Sequence, residues 1–143
     1  MSREIKFRAY HKERKEIFEI ASIDSEEKKA ALSNGVVKLL NVDFKQFELS
    51  QYTGLKDKNG KEIYENDLIS CNKYKNIVVF FENGCFKNKY PKSDTTNTIC
   101  TLDTFLEKYK CKISGNIYEN KNLLEENNWL NTLRYTKSKS KMK

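Results

Sequence analysis

Charged and apolar residues alternate at period two from Glu4 through Ile5, Lys6, Phe7, Arg8, Ala9 and Tyr10, which predicts a strand with one buried face. A charged turn at His11 to Lys15 follows, and Ile17 to Ile23 predicts a second strand, so the two should form a hairpin. Asp24 or Ser25 then heads a stretch through Leu32 that reads as a short helix, because Glu27 stands three residues after Asp24 and Asn34-Gly35 suits a left-handed stop. Val36 to Leu40 and Phe44 to Leu49 predict two more extended segments.

The centre carries the clearest turn chemistry. Asn59-Gly60 and Asn83-Gly84 each sit between extended runs and supply the positive φ angles of a tight type I′ hairpin. With a strand near Leu68-Ile69, two hairpins predict a small closed or half-open barrel. Pro91 to Thr98 is polar and poor in strand formers, so it reads as a mobile loop able to carry contacts. Leu102, Phe105, Leu106 and Tyr109 recur at helical spacing and should share one helix face. Ile113 to Tyr118 returns to a strand, with Gly115 as a bulge. Asn120 caps an expected last helix over about 121–135, through Leu123, Leu124, Trp129, Leu130 and Leu133. Residues 136–143 lack apolar periodicity and read as a disordered basic tail.

Composition agrees with a folded chain: 143 residues, 38% hydrophobic and 12% aromatic, suffice for one core without disulfides. The expected organisation is a single body over 1–135, with an N-terminal β region to about residue 50 and a barrel-like region over about 51–120. Cys71, Cys85, Cys100 and Cys111 lack the close pairing of zinc ligands and read as reduced, small buried residues. Met1 leads directly into Ser2, Arg3 and Glu4, and the longest apolar run, Ile77 to Phe81, is too short to cross a bilayer. A cytoplasmic protein in a bacterial host is the expectation.

Three blocks in this order resemble the YopX family of phage and prophage proteins. They are Arg3-Glu4-Ile5-Lys6-Phe7-Arg8-Ala9-Tyr10; Gln51-Tyr52-Thr53-Gly54-Leu55-Lys56-Asp57 through Ile63-Tyr64-Glu65-Asn66-Asp67-Leu68-Ile69; and Gly115-Asn116-Ile117-Tyr118-Glu119-Asn120. Two departures stand out. Tyr10-His11 occupies the place where the family often has Trp-Asp, and Asn66 stands where Gly usually precedes Asp67. Asn follows Gly in tolerance of positive φ, so the turn at Asn66 should survive. The resemblance implies a temperate phage or integrated element of a Gram-positive bacterium. It also implies a mainly β (α+β) architecture: a small SH3-like barrel, with N-terminal strands packed against it and two or three short helices. It implies no reaction.

The residues point the same way. Asp57, Glu62, Glu65 and Asp67 would be a metal-binding carboxylate cluster on one reading, but Asp57 and Glu62 flank a hairpin tip as solvated turn acids, and Asp67 can bond nearby backbone N–H groups. His11 is the sole histidine, so a Cys or Ser nucleophile has a single candidate base. Phosphate loops, dinucleotide fingerprints and zinc-hydrolase signatures do not occur. No catalytic residue, metal site or cofactor is therefore assigned.

Lysines interleave with aromatics in Lys73-Tyr74-Lys75 and around Lys87, Lys89 and Tyr90, a combination that can meet phosphates and bases, or can merely protect a strand edge. The net charge is +7, of which Lys137, Lys139, Lys141 and Lys143 supply four, leaving +3 for the rest. These ten residues are the candidate binding set, with the tail lysines adding unspecific attraction. Tyr52, Tyr64 and Tyr118 read as packing aromatics. The functional expectation is a non-enzymatic accessory protein that binds and blocks a host macromolecular target. That target would be a nucleic-acid-handling or defence complex, such as a CRISPR nuclease. The alternative is direct DNA or RNA binding in phage gene control or DNA metabolism.

Overall fold

The computed structural model describes residues 4–91, 93 and 95–123. The chain divides into two compact units between Gly54 and Leu55. It is mainly β, built on two antiparallel sheets.

The first unit holds β1 (Phe7–His11), β2 (Glu16–Asp24), β3 (Lys29–Ser33), β4 (Lys38–Asp43) and most of β5 (Phe47–Lys56). Their order is β4-β3-β2-β1-β5. β1 and β2 form the expected hairpin, with Ala9 opposite Phe18 and His11 opposite Glu16. Period-two alternation places Ala9, Phe18, Ala30, Leu32, Val42 and Phe47 together as this unit's core. Register irregularities between Ile20 and Ser22 and between Ala30 and Leu32 bend the long β2-β3-β4 meander. His11 is buried, accepts the Arg14 N–H at Nδ1 (3.1 Å) and meets the Phe18 ring edge-on.

The helix expected through Leu32 is instead the turn of the β2-β3 hairpin. Asp24 Oδ1 does accept from Glu26 and Glu27 N–H (3.0 and 3.1 Å), but Lys28 at φ 55 turns the chain back, and Ala30 and Leu32 are buried as strand residues. The same side-chain cap serves a helix start and a tight turn, and the apolar face of β3 decides between them.

The second unit contains β6 (Glu62–Tyr64), β7 (Asp67–Ser70), β8 (Ile77–Glu82), β9 (Cys85–Pro91), β10 (Asn97–Thr101), α1 (Leu102–Lys108) and β11 (Lys112–Asn116). β6 follows β5 across the Asp57–Lys61 turn, whereas β7 begins a separate sheet of order β10-β9-β8-β7-β11. Both sheets end in open edges, so the expected SH3-like barrel is not closed. β6 neighbours β5 in its sheet, while β7 pairs β8 and β11. Ile63, Ile69, Ile77, Val79, Leu102, Phe105, Cys71 and Cys111 form the core, so α1 buries the face its spacing predicted.

The two Asn-Gly turns differ. Asn83 and Gly84 both have positive φ (52 and 81) between the paired Glu82 and Cys85, as a type I′ hairpin requires. At the other, only Gly60 is left-handed (φ 82), and its N–H donates to Asp57 O, so a type I turn with a left-handed Gly replaces the expected I′ turn. A Cβ at Gly60 would meet open space, so Gly60→Ala should cost only the conformational penalty, about 1 kcal/mol in urea unfolding. Asn66 has φ 73, so it does take the left-handed role of the Gly it replaces. The segment from Pro91 to Thr98 is shorter as a loop than expected, because β9 runs through Pro91 and β10 starts at Asn97. Of the helix expected over about 121–135, residues 121–123 are described and helical; its remainder and the tail lie outside the described residues.

Candidate functional site

Three of the ten sequence-chosen binding residues come together in the second unit. Cys71 N–H donates to Tyr74 O (2.7 Å), and the Cys71 Sγ accepts the Tyr74 N–H (3.4 Å), so the β7-β8 loop is folded tightly enough to turn the Tyr74 ring toward the core. Its centroid lies 4.9 Å from that of Tyr90, 5.3 Å from Tyr109 and 6.1 Å from Phe105. Tyr109 in turn sits 4.9 Å from Phe105. Phe105 is buried at the base of the cluster, while the three tyrosines are half-buried.

Lysines rim this cluster. Lys73 Nζ stands 5.4 Å from the Tyr74 ring centre and Lys108 Nζ 5.6 Å from that of Tyr109. Both lysines are exposed, so their ring contacts coexist with full hydration of the charge. The neighbouring Tyr74 hydroxyl favours the charged ammonium and raises the Lys73 pKa. Burial, then the hydrogen bond with Tyr109, raises that of Tyr74; burial also raises that of Tyr90. At neutral pH the patch therefore offers ammonium and phenol O–H donors, which suits an anionic or acceptor-rich partner.

The other candidates go elsewhere. Lys87 and Lys89 alternate with Asn88 and Tyr90 along β9, so they point to the opposite face of the sheet. There Lys87 pairs with Glu82 (3.7 Å) and Lys89 lies over the Phe80 ring at 6.0 Å. Interleaving in sequence thus separated the lysines from Tyr90 in space, because a strand sends neighbours to opposite sides. Lys75 is exposed in the loop that carries Tyr74. Lys137, Lys139, Lys141 and Lys143 lie outside the described residues. Sequence reasoning missed Phe105, Lys108 and Tyr109 as site residues. The helical spacing of Phe105 and Tyr109 was visible, but it marked a core face and gave no hint that Tyr74 and Tyr90 would meet it; Lys108 carried no signal in the sequence.

The acidic residues have structural work. Asp57, expected to be a solvated turn acid, is buried; its Oδ1 accepts from Asn59 and Lys61 N–H (both 2.9 Å) and its Oδ2 from Ile113 N–H (3.0 Å). Burial alone would raise its pKa, but the three amides and the Lys61 charge outweigh it, and the net shift is downward. Asp67, as expected, bonds nearby backbone, accepting from Tyr64 N–H at 2.8 Å. Asn116 Oδ1 accepts from Tyr118 and Glu119 N–H, and Asn66 Nδ2 donates to the Tyr118 hydroxyl at 2.9 Å. Among the described residues, no helix is long and apolar enough to cross a membrane.

Comparison with known proteins adds a family. The family model described as YopX protein matches residues 6–125, most of the chain. No curated protein matches. Among solved structures, the crystal structure of protein EF1440 from Enterococcus faecalis is similar, with a TM-score of 0.56 and 22% identity over 86% of this chain and 99% of that one. At that identity the likeness speaks for the fold.

Proposed function

Since the chain belongs to the YopX protein family, we propose that it is a non-enzymatic phage or prophage accessory protein that binds a host macromolecule and blocks it by occupancy. The observation that carries this reading is the rigid tyrosine cluster rimmed by Lys73 and Lys108. Mutually packed rings lose little freedom on docking, and lysines at the rim complement an acidic surface. A machine that handles nucleic acid, such as a defence nuclease, presents acidic or phosphate-bearing surfaces of that kind. An SH3-like arrangement of the second unit's strands is compatible with such docking.

A second reading, direct binding of single-stranded DNA or RNA, is favoured by the same half-buried tyrosines, since bases stack on aromatic faces beside cations. Affinity capture from host lysate separates the two when wild type and Lys73→Glu/Lys108→Glu are run with and without nuclease. A defined host protein retained by wild type after nuclease treatment, and held about tenfold less tightly by the double variant, is the expected result. Retention of nucleic acid alone, lost at high salt, moves the assignment to the second reading. Equal capture by both proteins removes the patch from either role.

A further inference from the structure

Two thiols lie directly beneath the tyrosine patch. Ser70 in β7 pairs with Lys112 in β11, and continuing that register one residue beyond the strand ends places Cys71 opposite Cys111, in the same core cluster. Opposed residues of an antiparallel pair have Cα atoms about 4.5–5.5 Å apart, inside the roughly 4.4–6.8 Å that a disulfide spans. Both cysteines are free and both are buried in the same core cluster, at 8% exposure for Cys71 and 1% for Cys111.

Each thiol also holds one of the tyrosine-bearing turns. Cys71 Sγ accepts the Tyr74 N–H (3.4 Å), and Cys111 Sγ donates to Tyr109 O (3.5 Å). The remaining cysteines are occupied separately, Cys85 Sγ with Glu82 O and Cys100 Sγ with Asn88 Oδ1. Oxidation of the Cys71 and Cys111 pair removes the S–H that Tyr109 O accepts and draws the sulfur away from Tyr74 N–H. The two turns that set the ring geometry then lose the bonds that set them.

We infer that Cys71 and Cys111 form a reversible disulfide that regulates the Lys73, Tyr74, Tyr90 and Tyr109 patch, an inference that rests on the binding role assigned to that patch. The oxidant is a small-molecule disulfide. The Cys71 sulfur, the more exposed of the two, loses its proton to water and attacks one sulfur of the oxidant. The oxidant's S–S bond breaks and one thiol leaves. The Cys111 sulfur, deprotonated in turn, attacks the Cys71 sulfur, forms the new S–S bond and expels the second thiol. Two protein thiols are oxidised and one external disulfide is reduced to two thiols. Burial, then the neighbouring Cys71, pushes the Cys111 thiol up to about 12, so the closing step is slow at neutral pH and accelerates as pH rises.

The test is incubation of the full chain with glutathione disulfide, followed by alkylation of free thiols under denaturing conditions and peptide mapping. Wild type should lose two of its four alkylatable thiols, with the mass of two hydrogens lost and no added glutathione, in a peptide joining Cys71 to Cys111. Cys71→Ser should lose neither the Cys111 thiol nor the mass, and dithiothreitol should restore the wild-type thiols. The near-UV circular dichroism of the tyrosines should change on oxidation of wild type and stay constant in Cys71→Ser. Glutathione adducts in place of the bridge, or a bridge that leaves the tyrosine signal unchanged, overturns the inference. If the bridge forms and the signal moves while neither redox form captures a partner, the switch stands and the binding role of the patch fails.

Discussion

Asp57→Ala should lower the unfolding free energy by about 3 kcal/mol, because three backbone amides lose a charged acceptor. Asn59 and Lys61 are exposed and can turn to water, whereas the Ile113 amide is partly buried and sits at the start of β11. The loss therefore falls on the attachment of β11 to the Asp57–Lys61 turn, where Ile113 N–H is bonded to a residue 56 positions earlier. Asp57→Asn keeps one acceptor oxygen and should cost about half as much. Urea unfolding at neutral pH measures both, and a cost below about 1 kcal/mol for the alanine variant would show the turn holding without its acid.

The same carboxylate sets a pH dependence. Its folded pKa lies below the ordinary value of 3.8, so the folded state binds the proton less readily than the unfolded chain. The stability it contributes is present above about pH 4 and is lost as pH falls through 3.8 toward the lower folded value. Wild type should accordingly lose more stability than Asp57→Asn between pH 5 and pH 3, a window of roughly one unit either side of the unfolded carboxyl. Parallel acid profiles for the two proteins would contradict this.

Gly115→Ala should cost about 2–4 kcal/mol, the sum of overpacking and a lost hydrogen bond. A Cβ there would stand 2.5 Å from Asn120 Oδ1, 2.7 Å from its Cγ and 3.0 Å from its Cβ, so the whole Asn120 side chain must leave. That side chain accepts the Asn116 N–H at 3.1 Å and closes the turn after β11. Asn120→Ala removes the obstacle, and Gly115→Ala made in that background should be milder by about 1–2 kcal/mol. A double-mutant cycle by urea unfolding gives this coupling directly. Strict additivity would mean that the collision is relieved by backbone movement instead.

These two positions explain part of the family resemblance in physical terms. Gly115-Asn116-Ile117-Tyr118-Glu119-Asn120 is a turn that bonds to itself: Asn120 holds Asn116, Asn116 caps Tyr118 and Glu119, and Ile117 packs with Leu68 and Val78. Tyr118 reaches back to Asn66, whose positive φ had been anticipated from its place before Asp67. Much of the matched sequence is thus occupied with backbone geometry, and the candidate binding patch lies largely between the quoted blocks, at Tyr74, Tyr90 and Tyr109.

Local chemistry was legible where the structure depends on neighbours in the chain. The β1-β2 hairpin, the Asn83-Gly84 turn, the helix face of Leu102 and Phe105 and the bulge at Gly115 all follow from spacing and turn residues within a dozen positions. Asp24 shows the limit of such reading, since a side chain that caps two N–H groups starts a helix or closes a hairpin with the same bonds, and only the burial of Ala30 and Leu32 chose the hairpin.

The amino-acid order by itself determined a mainly β chain, its tight turns and its alternating faces, because backbone sterics and side-chain period act over a few residues. Tertiary structure alone decided that the sheets stay open, that Asp57 is buried against Ile113, and that Lys89 parts from Tyr90 while Tyr74 and Tyr109 join it. Period two says that neighbours on a strand face apart. Which distant segments come to share a face depends on strand pairing and core burial, energies that no local window contains.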